Sequence, residues 1–128
     1  MTIKNLFIFD AIVCLLFGLP FIFIPQSLAK LFLADPVFTD GAIATARNYG
    51  IMLCGGAIAL LFARNSIPST ARKGLLIFIV VAGTLTSINL IYAVLTGINN
   101  TNGWLAIIPT LVVTIWGIML LPKEKTDT

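Results

Sequence analysis

Four apolar runs, each long enough to cross a bilayer, fill most of this chain and leave few folds open to it. They cover residues 5–24, 42–63, 74–95 and 104–121. A hydrocarbon core about 30 Å thick takes roughly 20 helical residues at about 1.5 Å each, and every run falls in the usable range. The sequence therefore predicts an all-α, integral-membrane four-helix bundle, a single domain over 1–128. Its connections are short, which predicts up-down topology with neighbouring helices antiparallel.

Composition agrees with that class. Hydrophobic residues make up 59 % and charged residues 10 %, with mean hydropathy +1.05. Soluble domains carry about a quarter charged residues, and no stretch outside the runs is long enough to bury a core of its own. The net charge of +3 sits at helix ends rather than on a soluble face, so nucleic acid is not an expected partner. Topology explains the charges better. With the N-terminus inside, that side holds Lys4, Arg64, Arg72, Lys73, Lys123 and Lys125; the opposite side keeps Lys30, and the 96–103 loop has no charge. Retention of positive residues on the cytoplasmic side predicts both termini in the cytoplasm of a bacterial inner membrane. Ser27 and Ala29 would suit a signal-peptidase site. The first run is nevertheless longer than the usual 7–15 apolar residues of a signal peptide, carries Asp10 and follows a single Lys, so it is expected to stay attached.

Local signals divide the chain further. Pro20 cannot donate to the Leu16 carbonyl, which predicts a kink in the first helix, and Pro25 ends it. Residues 26–33 place Leu28, Leu31 and Phe32 at helical spacing beside Lys30, the pattern of a short interfacial helix. Asp35-Pro36 breaks it, and Thr39 or Asp40 is placed to cap the second long helix. In that helix Ala42, Ala46, Gly50 and Cys54 recur every four residues, and Gly55, Ala59 and Ala63 form a second row. Small residues at this spacing let helices approach closely, so the second helix is expected to be the central packing element. Residues 64–73 form a basic loop interrupted by Pro68, and 99–103 a polar turn ending in Asn-Gly. Asn99-Asn100-Thr101 fits a glycosylation acceptor, which matters only in a secretory pathway. Trp104 stands where an interfacial aromatic belongs, Pro122 closes the last helix, and the segment after it reads as a solvated tail.

Much chemistry is excluded. The chain has no histidine, and Cys14 and Cys54 lie in different helices with no Cys-x-x-Cys, so neither the common metal sites nor a dithiol centre is expected. No phosphate loop or nucleophile elbow appears, and no residue is assigned a catalytic role. What remains is polarity inside the membrane. Asp10 and Arg47 are the ionisable acid and base within the runs, and such charges usually face a bundle interior. Arg47 and Asn48 in the second helix, Asn89 in the third and Thr110 in the fourth fall at similar depth, with the Gly18/Pro20 kink near them. The expectation is an outward-facing cavity in which these groups hold an anionic or carbonyl-bearing ligand: a lipid headgroup, a fatty acid or a quinone. The competing expectation is that Arg47 snorkels outward or pairs with Asp40 or Asp35. Asp10 lies nearer the inner boundary and is a candidate proton-linked group.

The four-helix layout, Gly18-Leu19-Pro20 through Pro25 closing the first run, and Ala46-Arg47-Asn48-Tyr49-Gly50 opening the second resemble the small bacterial four-span proteins of the broad DoxX-like kind. The resemblance covers most of the chain in arrangement and carries over no catalytic residue. Proteins of that kind include a subunit linked to thiosulfate:quinone oxidoreduction, which implies an accessory role in a larger complex. Three functions are therefore weighed. The first is a non-enzymatic bundle that binds membrane lipid or quinone, alone, as a homo-oligomer or in a larger membrane complex, with no other cofactor. The second is a small proton-coupled transporter working through Asp10, and the third a membrane enzyme on a lipophilic substrate.

Overall fold

Hydroxyl side chains set where three of the long helices begin. Thr2 accepts from the Asn5 amide at 3.3 Å, Thr39 from that of Ala42 at 3.1 Å and Ser69 from that of Arg72 at 3.2 Å. Each satisfies an N–H that a first helical turn leaves without a partner. The computed structural model describes residues 2–124. In it the helices are α1 (Ile3–Phe23), α2 (Pro25–Phe32), α3 (Asp40–Ala63), α4 (Thr70–Leu95) and α5 (Trp104–Leu120), with single 3-10 turns at Thr101–Gly103 and Leu121–Lys123. α1, α3, α4 and the Thr101–Lys123 stretch around α5 are long and apolar enough to cross a membrane. The protein is a multi-pass helical bundle. α4 starts ahead of the third apolar run, because hydropathy marks the hydrocarbon-embedded part of a helix while Ser69 caps it further out. Arg72 and Lys73 thus stand on its first turn instead of in a loop.

Packing is pairwise. α1 lies along α3 and α4 along α5, and α1 also touches α5, which joins the two pairs. α3 and α4, adjacent in the chain, scarcely meet. The first pair closes through glycine: a Cβ at Gly50 would stand 2.6 Å from the Gly18 carbonyl oxygen, and one at Gly18 would stand 2.8 Å from Cys54 Sγ. The second pair closes where a Cβ at Gly83 would collide with the Thr114 hydroxyl. The row through Gly50 and Cys54 therefore does bring two helices together, as expected. The row through Gly55 does not, since a Cβ there would meet nothing within 4 Å. The central element is α1 rather than the second long helix. Lipid is as apolar as a protein neighbour, so nothing forces the other faces of α3 to be covered.

The two ends of the bundle differ. Leu6, Phe7 and Ala11 of α1, Ala57 and Leu60 of α3, Leu76 and Ile79 of α4, and Val113 and Leu120 of α5 form one buried cluster. Nearly all come from the helix halves nearest the chain termini, so that end is filled. Beyond it, Arg72 reaches Glu124 with both prongs, Nε to Oε1 at 2.5 Å and Nη2 to Oε2 at 2.8 Å, and its Nη1 donates to the Ser66 carbonyl at 2.5 Å. Glu124 is buried. The solvated tail expected after Pro122 is thus corrected at Glu124: the Leu121–Lys123 turn folds the chain back, and a lone carboxylate beside an arginine is better paired than hydrated. Residues 125–128 of that tail lie outside the described residues.

At the opposite end, α2 forms where the 26–33 pattern predicts a short helix, with Pro25 and Leu28 buried and Lys30 on its free side, Nζ 5.8 Å from the centre of the Phe38 ring. The polar turn before α5 is more than a turn. Ala34 donates to the Ile98 carbonyl at 3.0 Å and Asn100 to that of Phe32 at 2.8 Å. The Asn100 side-chain amide bonds the Leu31 and Leu33 carbonyls at 2.9 and 3.3 Å, and that of Asn102 bonds Leu31 at 2.9 Å. These amides satisfy the last carbonyls of α2, which a helix terminus leaves without partners. α2 is thereby fastened across the end of the bundle.

Candidate functional site

Because α3 and α4 do not close on one another, the helices leave between the buried cluster and α2 a partly open cavity of about 680 Å³. That volume lies within the usual range of a small-molecule site. Its walls are almost entirely apolar. α1 contributes Val13, Phe17 and Phe21, α3 contributes Ala46, Leu53 and Gly56, α4 contributes Phe78, Ala82 and Leu90, and α5 contributes Ala106 and Val113. Pro25, Leu28, Ala29 and Phe32 of α2 cover one end. Phe17 packs at a tilt against Phe32, 6.0 Å between ring centres, which braces that cover, and Phe21 meets Tyr49 edge-on at 5.3 Å between α1 and α3.

Few polar groups line the cavity. Asp10 accepts from Cys14 Sγ at 3.7 Å, both residues facing the space. The Thr110 hydroxyl donates to the Ala106 carbonyl at 2.8 Å, the usual way a threonine settles inside a helix. Thr86, Tyr49 and Asn99 complete the polar lining, together with Gln26.

The residues singled out in the sequence are distributed as follows. Thr110 and Asp10 line the cavity. Asn48 and Asn89 are exposed and line neither this cavity nor the cleft beside it. Arg47 is exposed and stands in that separate shallow cleft, of about 270 Å³, with Phe23, Ile24, Pro25, Gln26, Ser27 and Ile43. The reason is register. Arg47 lies one turn from Gly50 on the side facing α1, level with the end of α1 at Phe23, so its side chain stands at the junction where the chain turns into α2. Neither Asp35 nor Asp40 pairs with it; among the described residues the ion pair is Arg72–Glu124. The four groups expected in one polar layer are not brought together. What sequence reasoning missed is the apolar lining, and no local signal marks it: a phenylalanine that faces lipid and one that faces a cavity occupy the same helical pattern.

The class is thus a four-span α-helical membrane protein with a large apolar cavity inside the bundle and a basic cleft at its α2 end. By sequence it belongs to the family described as Domain of unknown function (DUF8292), whose pattern it matches over residues 8–125. No curated protein and no solved structure matches it.

Proposed function

We propose that this protein is a non-enzymatic binder of a membrane lipophile, of the lipid or quinone class, serving alone or as an accessory subunit of a larger membrane complex. The observation that carries this reading is the 680 Å³ apolar cavity left where α3 and α4 fail to pack. Helices in lipid associate by van der Waals contact, and two neighbouring helices that hold apart forgo that contact along their length. An occupant of matching shape restores it. The DoxX-like layout supports an accessory role in the same direction.

Gly56 gives the test. It lines the cavity, and a Cβ there meets nothing within 4 Å, so a larger side chain fills the space without disturbing the helices. Protein purified in mild detergent is expected to retain a lipophile detectable by native mass spectrometry and solvent extraction, and Gly56→Leu to retain about ten-fold less at unchanged helix content. Wild-type protein that carries no such molecule, or a variant that carries as much, would defeat the reading.

For orientation we propose both termini in the cytoplasm of a bacterial inner membrane, on the strength of Lys4, Arg64, Arg72 and Lys73 all lying at one end. A cysteine placed at exposed Asn65 is expected to react with an impermeant maleimide only after cells are permeabilised. Labelling in intact cells would reverse the orientation.

A further inference from the structure

The cleft beside Arg47 and the large cavity have common walls: Pro25, Gln26 and Ile43 line both. The two are therefore adjacent, and their chemistry differs. The cleft presents a guanidinium that has neither an ion-pair partner nor a side-chain hydrogen bond among the described residues, with Gln26 and Ser27 beside it. The cavity has no basic lining residue, and its carboxyl group, Asp10, lies about 20 Å along α1 from Phe23 at 1.5 Å per residue. Side by side, cleft and cavity thus present a free cation at the α2 end, then apolar walls, then an acid near the floor.

That gradient constrains an occupant. A chain moved from bilayer to cavity leaves one apolar medium for another, so the chain alone gives little selectivity. Selection falls to the head. An acidic head is favoured at Arg47, where charge-assisted hydrogen bonds form, and is disfavoured in the apolar interior and beside Asp10. We infer that the cleft opens into the cavity past Pro25, Gln26 and Ile43 and that the two together take an anionic amphiphile, its phosphate or carboxylate head beside Arg47 and its chain in the cavity. This deepens the lipophile reading and rests on it.

The test uses the full chain in nanodiscs of zwitterionic lipid, with radiolabelled palmitate as probe and hexadecyl phosphate, hexadecanol, hexadecyltrimethylammonium and inorganic phosphate as competitors. Palmitate is expected to bind saturably. Hexadecyl phosphate should compete as well as palmitate itself, and hexadecanol and hexadecyltrimethylammonium about ten-fold less well. Arg47→Gln should weaken palmitate about ten-fold, as expected of a lost charge-assisted hydrogen bond, and Arg47→Lys should restore most of it. Hexadecanol competing as well as the acids, or Arg47→Gln binding palmitate normally, would overturn the inference; sensitivity of binding to Gly56→Leu would then leave the cavity reading standing. Displacement by inorganic phosphate alone would also overturn it, because the cleft would then be a site for free anions. Failure of palmitate to bind wild-type protein would overturn the inference, and a lipophile retained on purification and lost in Gly56→Leu would still leave the cavity reading standing. Arg47 lies exposed about two turns into α3, so its variants are expected to fold, which unchanged helix content on circular dichroism would verify.

Discussion

Replacing Arg72 with methionine is expected to destabilise the bundle by about 3–5 kcal/mol, the usual cost of stranding one member of a buried ion pair. The Arg72 side chain is 16 % exposed and that of Glu124 only 4 %, so water does little to compensate the carboxylate once its partner is gone. The same change frees the Ser66 carbonyl, which holds the α3–α4 connection against the start of α4. The double variant Arg72→Met/Glu124→Leu should regain most of the loss, because an apolar pair of similar size removes the stranded charge. Unfolding of purified protein in mixed micelles by increasing SDS measures both. A single variant within about 0.5 kcal/mol of wild type, the range of ordinary surface changes, would show that the pair contributes little.

Gly50→Ala and Gly55→Ala are expected to move stability in opposite directions although the two sites share one helix. At Gly50 the added methyl would press on the Gly18 carbonyl oxygen at 2.6 Å and on Phe21 Cβ at 2.8 Å. The carbonyl belongs to the backbone of α1 and cannot swing aside as a side chain would. The helices must separate, at about 1–3 kcal/mol for overpacking of this kind. At Gly55 nothing stands within 4 Å, and alanine gains up to about 1 kcal/mol from its better helix propensity. Equal effects from the two substitutions in the same SDS titration would mean that α1 and α3 are not in backbone contact.

The contrast between these glycines also shows what the sequence could reveal. Long apolar runs separated by Pro, Asn-Gly and charged turns specify four spans, and Thr39 ahead of Asp40 shows where one begins. Those are local properties, and the structure follows them. Two identical-looking rows of small residues on one helix were beyond that reach. Only the path of α1 decides that Gly50 is buried and Gly55 is not. Glu124 fails for a related reason: its partner Arg72 is 52 residues earlier, and nothing in a Lys-Glu-Lys tail announces a pair made across that distance. The candidate site was legible in its chemistry and not in its assembly. Asp10 and Thr110 border the cavity and Arg47 the adjacent cleft, but Asn48 and Asn89 turn away, because depth along a helix fixes height and leaves the angle around the axis open.

The amides of Asn100 and Asn102 pin α2 over one mouth of the bundle, while the flank between α3 and α4 stays unsealed. An occupant of the proposed kind would then come and go sideways, between protein and leaflet, with no aqueous leg to the journey. Dwell time inside would track the fluidity and composition of the surrounding lipid, and a compound's solubility in water would hardly enter.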